Sequence, residues 1–184
     1  MEWIETNGVV LRYELSGAGR VPLLLMHELG GSLEFWDPVL PAFQQVFRVL
    51  RYDLRGFGMS EKVRTLRLDD LLGDIVGLLD TLAITDPCHV VGPALGAGIA
   101  LAFAAQYPAR VHRLVVSSPA TGVPPERRAQ SLQRADVVER GGMRAAVEQS
   151  LTRSYPERFR GDRPRFEQYR RRWLANDPEG SASV

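Results

Sequence analysis

The amino-acid sequence predicts an α/β protein with a mostly parallel sheet, helices on both faces of that sheet and a helical cap. Two observations support this prediction. After an N-terminal hairpin, apolar β-runs alternate with helical segments in the order β-α-β-α-β-α-β, which requires a parallel sheet with right-handed crossovers. From Pro124 onward no β-run occurs, and the chain becomes rich in Arg and Glu with a helical period. We therefore divide the chain into a core, residues 1–123, and a cap, residues 124–184.

The first two predicted strands form a hairpin at an edge of the sheet. Asn7-Gly8 separates two segments in which apolar and polar residues alternate, and this dipeptide is a strong signal for a two-residue turn. Later β-runs are continuously apolar, as in strands that are buried on both faces of a sheet. The predicted strands cover residues 2–7, 9–15, 22–27, 47–53 and 111–117, with a further short strand around Val90-Val91.

Two helices are predicted between the early strands. A short amphipathic helix runs from Trp36 to Phe43, and a longer one from Leu66 to Leu82, where leucine and isoleucine recur at helical spacing. In the longer helix, Asp69 and Asp70 stand near the start, where the helix dipole favours negative charge.

The cap is predicted to consist of helices broken at Gly141-Gly142 and Tyr155-Pro156. Phe166, Tyr169 and Trp173 are spaced along one helix face. This aromatic stripe favours a cap packed over the sheet against the alternative of a solvated helical tail.

Composition excludes several classes of protein. The formal net charge is +1 and apolar residues make up 45% of the 184 residues, which indicates a globular domain without a charge directed at nucleic acid or membrane. Neither a signal-peptide pattern nor an apolar run near the roughly 20 residues of a membrane span is present, so we expect a cytoplasmic protein. With Cys88 as the only cysteine and the histidines far apart in sequence, we expect no disulfide within the chain and no metal site.

The stretch from Cys88 to Gln106 reads as strand, tight turn and helix. Within it, Gly92 and Gly96 bracket Ala94 with the spacing G-x-A-x-G. In a nucleophile elbow the spacing G-x-S-x-G places a serine on a strained strand-to-helix turn. Here the turn is predicted but the hydroxyl is missing. The alternative is a turn of small residues whose glycines only allow close packing.

Four motifs follow successive strands in a fixed order. They are His27-x-x-Gly30-Gly31-Ser32, Asp53-x-Arg55-Gly56-x-Gly58-x-Ser60, Gly92-x-Ala94-x-Gly96 and Ser117-Ser118-Pro119. The ordered set resembles that of the α/β-hydrolase fold family, over essentially the whole chain, and looks most like bacterial 3-oxoadipate enol-lactonases and their relatives. The resemblance implies an α/β-hydrolase fold whose C-terminal strands are absent from this chain and whose cap is incomplete.

The resemblance also implies a site at the C-terminal edge of the sheet, where an acyl-enzyme forms on the elbow residue. Ala94 occupies the nucleophile position. The backbone N–H groups of Leu29 and Leu95 occupy the positions of the oxyanion hole. The residues expected to line the substrate pocket are His27, Glu28, Gly30 and Pro93. Asp53 and Arg55 are expected to brace loops.

Two residues depart from the family pattern. The methyl group of Ala94 cannot attack a carbonyl, so the nucleophile is lost, either by engineering or by natural replacement. Glu28 stands where the family usually has glycine. Its side chain either faces solvent or enters the pocket, where burial would raise its pKa and suit it to acid/base catalysis.

Length is the third departure. In the family the catalytic histidine and its acid usually follow the cap, and no histidine of this chain takes that place. We expect either a second polypeptide that supplies the remaining strands or a longer protein of about 260–280 residues, judged from a complete sheet.

These observations lead to one main functional hypothesis and two alternatives. The main one is a hydrolase of a small carboxylic ester or enol lactone, inactive in this form because Ala94 replaces the nucleophile. The first alternative is a relative that binds a small carbonyl ligand without hydrolysing it, or that reacts through Glu28; the second is a carbon–carbon bond hydrolase. No metal, flavin or nucleotide is implied, since a Walker lysine and an acidic ribose partner are missing. A small-molecule substrate is expected, nucleic acid and membrane are not, and self-association is left open.

Overall fold

The computed structural model describes residues 1–122, 125–176 and 178. For six residues of the cap it describes the backbone alone: Glu126, Arg127, Arg128, Ser131, Arg134 and Arg153. The boundary proposed between residues 123 and 124 lies outside the described residues, so the division into core and cap stays a prediction.

Six strands form a single sheet. They are β1 (Glu2–Thr6), β2 (Val9–Ser16), β3 (Val21–Leu25), β4 (Phe47–Tyr52), β5 (Cys88–Pro93) and β6 (Val111–Ser117). Their order across the sheet is β1-β2-β4-β3-β5-β6. The pairs β3/β4, β3/β5 and β5/β6 are parallel, whereas β1/β2 and β2/β4 are antiparallel. The predicted hairpin and mostly parallel sheet are therefore confirmed.

Five α-helices accompany the sheet in the described residues. They are α1 (Leu40–Gln44), α2 (Leu68–Thr81), α3 (Ala94–Gln106), α4 (Pro125–Ser154) and α5 (Arg163–Leu174). Buried residues of α2 and α3 pack on one face of the sheet, and Leu40 of α1 packs on the other. This arrangement confirms the predicted α/β fold with helices on both faces. Among the helices of the described residues, none combines the length and hydrophobicity needed to span a bilayer.

The cap helices break where the sequence predicts. Gly142 has φ = +67° and ψ = −179°, which interrupts α4, and α4 ends just before Tyr155-Pro156. Phe166 of α5 is buried against Val147 and Leu151 of α4. The aromatic stripe therefore packs against α4 within the cap, so the alternative of a solvated helical tail is wrong.

The prediction of one helix from Trp36 to Phe43 is wrong. The segment instead forms a 3₁₀ turn, Leu33–Trp36, followed by the short helix α1. Pro38 and Pro41 explain the break, because proline has no N–H to donate within a helix and is tolerated only in its first turn.

Within the described residues, β6 is less buried than the prediction of a strand covered on both faces expects. Within the described part of the chain, β6 pairs only with β5, and Val115 is 60% exposed. Val111, Leu114 and Val116 still pack towards α2 and α3. In the described residues one face of β6 is thus covered and the other is not, and an apolar run alone does not record which strands lie beside it.

Two buried acids brace the loops beside the site. Asp53 accepts hydrogen bonds from the backbone N–H of Leu33 (2.6 Å) and of Met59 (2.8 Å). Asp74 of α2, fully buried, accepts one from Nε of Arg55 at 2.6 Å. The bracing role expected for Asp53 and Arg55 matches these contacts.

Replacement of Arg55 tests the buried pair. Arg55→Met removes the cation and leaves the Asp74 carboxylate buried without it, so we expect a loss of about 3–5 kcal/mol in the free energy of unfolding, measured by urea denaturation. The matched control is Arg110→Met, which breaks a pair with Asp80, whose side chain is 60% exposed. There we expect a loss below about 1 kcal/mol. Equal losses in both variants would contradict the assignment.

Candidate active site

The turn between β5 and α3 carries the predicted elbow. The first residue of α3, Ala94, has φ = +48°, a left-handed conformation that residues with a side chain rarely adopt. Such a residue costs about 1–3 kcal/mol and persists only where its surroundings hold it. The turn therefore has the strained geometry of a nucleophile elbow, with a methyl group at its apex.

Close packing around the turn explains its glycines. A Cβ atom added at Gly92 would lie 2.4 Å from the carbonyl carbon of Gly96, and one added at Gly96 would lie 2.7 Å from the carbonyl oxygen of His27. Real Cβ atoms do not approach backbone atoms this closely. The G-x-A-x-G spacing is thus required by backbone contacts within the elbow and between the elbow and the end of β3.

Two backbone donors near Ala94 are free. Among the described residues, neither the N–H of Leu29 nor that of Leu95 donates to a protein acceptor. Leu95 lies in the first turn of α3, where backbone N–H groups have no partner within the helix. These are the donors that the sequence assigns to an oxyanion hole, and that role stays a prediction.

A cavity of about 670 Å³ lies between the elbow, the loop after β3 and the cap. From the core it is lined by Ala94 and by a loop segment, Glu28 to Gly30. The cap contributes apolar side chains and neutral polar ones from both of its helices. The cap residues that line it are Gln130, Gln133, Val137, Val138, Met143, Gln149, Ser150, Ser154, Tyr169 and Trp173.

Glu28 is one of the residues that line this cavity, and its side chain is partly buried. Burial raises the pKa of its carboxyl to about 7 from an ordinary 4.5, although the charge of Arg172 pulls the pKa down. One carboxyl oxygen, Oε2, is buried and has no hydrogen-bond partner in the described part of the chain. A carboxyl group with this pKa exchanges protons near neutral pH, which suits acid/base work.

His27 and Pro93 are not among the residues that line the cavity. His27 is fully buried, and its Nε2 accepts a hydrogen bond from the N–H of Leu54 at 3.0 Å. Its Nδ1 therefore carries the proton and donates to the carbonyl oxygen of Glu28 at 2.7 Å. Burial lowers the pKa of this imidazole, in keeping with the neutral form. His27 thus stabilises the loop through hydrogen bonds to its backbone. It does not line the cavity, where the sequence analysis expected it.

Residues at the end of α5 donate hydrogen bonds to the segment after β3. Nδ2 of Asn176 donates to the carbonyl oxygen of Gly30 at 2.6 Å, and Nη1 of Arg172 donates to that of Glu34 at 2.8 Å. A Cβ atom added at Gly30, whose φ is +73°, would lie 3.1 Å from the indole of Trp173. Sequence reasoning identified Trp173 through the aromatic stripe. It missed Asn176, because a lone amide at the end of a polar helix carries no pattern.

A family model described as "alpha/beta hydrolase fold" matches residues 21–177. The chain belongs to the α/β-hydrolase fold family. In this family the active site lies between the nucleophile elbow and the loop after β3. The same two segments line the cavity of this chain.

Individual members of the hydrolase family resemble the chain to different extents. A putative carbamate hydrolase, RutD, of Caulobacter segnis is 41% identical over 121 residues, which is 60% of this chain and 44% of the relative. The 3-oxoadipate enol-lactonase 1 of Acinetobacter baylyi is 28% identical over 154 residues, 83% of this chain and 57% of the relative. The chain thus spans about half the length of these curated relatives.

Two solved structures superpose closely on this hydrolase fold. The enol-lactonase from Burkholderia xenovorans LB400 has a TM-score of 0.89 at 30% identity, covering 99% of this chain and 71% of that one. A thermophilic esterase from Thermogutta terrifontis, with malate bound, has a TM-score of 0.92 at 27% identity, covering 100% of this chain and 71% of that one.

Glu28→Gln tests the burial of the carboxyl through the pH dependence of stability. Since the folded pKa is raised, the wild type loses stability as the pH rises from about 4.5 to about 7 and stays less stable above that. Gln does not titrate, so we expect the variant to gain about 1–3 kcal/mol relative to wild type between pH 4 and pH 8. The measurement is urea unfolding at both pH values. Exposed Glu5→Gln is the control, and an identical pH response in all three proteins would refute the burial.

Asn176→Ala tests the hydrogen bond between the cap and the loop after β3. Loss of the amide leaves the buried carbonyl of Gly30 without its donor, at a cost of about 1–3 kcal/mol. We expect faster hydrogen exchange at the end of α5 and in the loop from Glu28 to Gly31, followed by mass spectrometry. Gln168→Ala, an exposed change on the same helix, should leave that exchange unaltered. Unchanged protection in the Asn176 variant would show that the loop is held by other contacts.

Proposed function

We propose that the full-length protein binds a small acyl compound, a carboxylic ester or an enol lactone, with its carbonyl group over Ala94. The observation that carries the proposal is the pair of N–H groups, of Leu29 and Leu95, that donate to no acceptor within the described residues, beside the strained turn at Ala94. Carbonyl oxygen gains negative charge during acyl transfer, and donors fixed in advance stabilise that charge. The names of the similar enol-lactonase, esterase and carbamate hydrolase support this substrate class.

The proposal includes the loss of the nucleophile. Because Ala94 has no hydroxyl, an acyl-enzyme cannot form at the elbow, and loss of a triad nucleophile costs roughly six powers of ten in turnover. The groups that would activate a serine, a histidine and its acid, follow the cap in the family. Where that histidine and its acid lie stays a prediction. So do a second polypeptide, self-association and a cytoplasmic location.

A second candidate rests on Glu28. Its carboxylate faces the cavity beside the free donors, so it can take a proton from a water molecule that attacks the bound carbonyl directly. This route needs no covalent intermediate. If neither route operates, the site retains carbonyl binding without turnover.

Restoration of serine separates these candidates. In the full-length protein we expect Ala94→Ser to raise hydrolysis of 4-nitrophenyl acetate and of an enol lactone by at least three powers of ten, because the elbow then presents a hydroxyl. The release of nitrophenol and the loss of lactone absorbance are measured. Ala105→Ser, at the exposed end of the same helix, is the control and should change nothing.

The other outcomes distinguish the alternatives. Hydrolysis already present with Ala94, and lost in Glu28→Gln, would support attack by water and overturn the acyl-enzyme proposal. No hydrolysis in any variant, with saturable binding of a small ester, would leave a carbonyl-binding protein and overturn both hydrolytic routes.

A further inference from the structure

The cavity combines the Glu28 carboxyl group with the loop that carries the Leu29 N–H, beside an elbow whose apex, Ala94, has no hydroxyl. We propose that Glu28 acts as a base towards carbon: it removes a proton from the carbon next to a ketone or ester carbonyl held at Leu29 and Leu95. The activity is enolisation, a reaction distinct from hydrolysis. The proposal rests on the carbonyl position of the proposed function but not on its reaction.

The position of Glu28 supports this role. Glu28 directly precedes Leu29, so the base and one oxyanion donor belong to neighbouring residues of one loop. A Cβ atom added at Gly31 would lie 2.7 Å from Oε2 of Glu28, so the glycine leaves the space that the carboxyl group occupies. His27 and Gly31 both donate to the carbonyl oxygen of Glu28, which holds the backbone of this residue in place.

The unsatisfied oxygen is the second observation. Oε2 is buried and lacks a partner in the described residues, although a buried carboxyl oxygen is normally hydrogen-bonded. A structural carboxylate would be expected to bond a donor of the protein, as Asp53 and Asp74 do. Because Oε2 is closed off from the cavity while the Glu28 side chain lines it, the proton of a bound molecule would pass to the other carboxyl oxygen, Oε1.

The proposed step balances without a further reactant. The bond between the α-carbon and hydrogen breaks, and the proton passes to the Glu28 carboxylate. The electron pair forms the carbon–carbon double bond of the enolate, and the carbonyl π pair moves to oxygen, where the two N–H groups hold it. In the reverse step the carboxyl group returns a proton, or a deuteron taken from heavy water. The net result is hydrogen–deuterium exchange at the α-carbon.

Ala94 favours this chemistry. A serine at the apex would attack the carbonyl carbon of an ester and divert the bound molecule into acyl transfer. The methyl group does not attack the carbonyl carbon, so a bound ketone or ester stays available for proton transfer from its α-carbon to Glu28.

The groups around Glu28 determine its pH dependence. Arg172 and Tyr169 of α5 interact electrostatically with its carboxyl, and among the described residues α3 and α4 present Ala94 and neutral polar or apolar side chains. The base form is the carboxylate. Exchange should therefore rise with pH through the pKa of Glu28 and level off above it.

The test is α-proton exchange of cyclohexanone in heavy water, followed by proton NMR with the full-length protein. We expect exchange at least tenfold faster than in buffer with the wild type, and at least a tenfold loss in Glu28→Gln. Exposed Glu5→Gln controls for general catalysis by surface carboxylates and should match the wild type. Glu28→Ala with added sodium acetate should exchange faster than Glu28→Gln in the same acetate, because only the smaller side chain leaves room for acetate and a purely structural role of Glu28 would not be rescued.

Two results would overturn the proposal. One is wild-type exchange no faster than in buffer, and the other is equal exchange in wild type and Glu28→Gln. Neither depends on ester hydrolysis: exchange without hydrolysis in Ala94→Ser would refute only the proposed function, and hydrolysis without exchange would refute only the enolisation.

Discussion

The contact between the elbow and the end of β3 is the constraint on which the site depends. Gly96 packs so closely on the carbonyl oxygen of His27 that no side chain fits between them. The carbonyl oxygen of Ala94 also accepts a hydrogen bond, at 3.0 Å, from the N–H of Ala120 in the loop after β6. Elements from three parts of the chain are thus fixed around one strained residue, and the cavity lies between this residue, the loop after β3 and the cap.

The loop after β3 is held from two sides. From the core, His27 is buried with both ring nitrogens hydrogen-bonded, and Asp53 bonds the backbone of Leu33. From the cap, Asn176 and Arg172 donate to loop carbonyl oxygens. A loop fixed in this way can keep a carboxyl group in a partly desolvated position, because its backbone cannot move to return Glu28 to solvent. The hydrogen bonds that hold the loop therefore also maintain the burial that raises the pKa of Glu28.

Much of the fold could be predicted from local patterns. The hairpin turn at Asn7-Gly8 and the kink at Gly142 both occur at residues with positive φ, as their residue types indicate. One error was local, since proline residues divide the helix expected from Trp36 to Phe43. The exposure of Val115 in β6 depends instead on which strands lie beside it in the described residues, which its apolar run does not record.

For the site, the sequence alone determined the spacing of the elbow and the absence of a hydroxyl at Ala94, since spacing and residue type record a tight turn directly, and the resemblance to the hydrolase family implied the loop that faces it. Only the tertiary structure decided that Glu28 lines the cavity, that His27 does not, and that Asn176 of the cap donates a hydrogen bond to the loop at Gly30. The physical reason is that side-chain burial and hydrogen bonding depend on residues far apart in the chain: Asn176 and Gly30 are separated by 146 positions. Local sequence carries no record of such contacts.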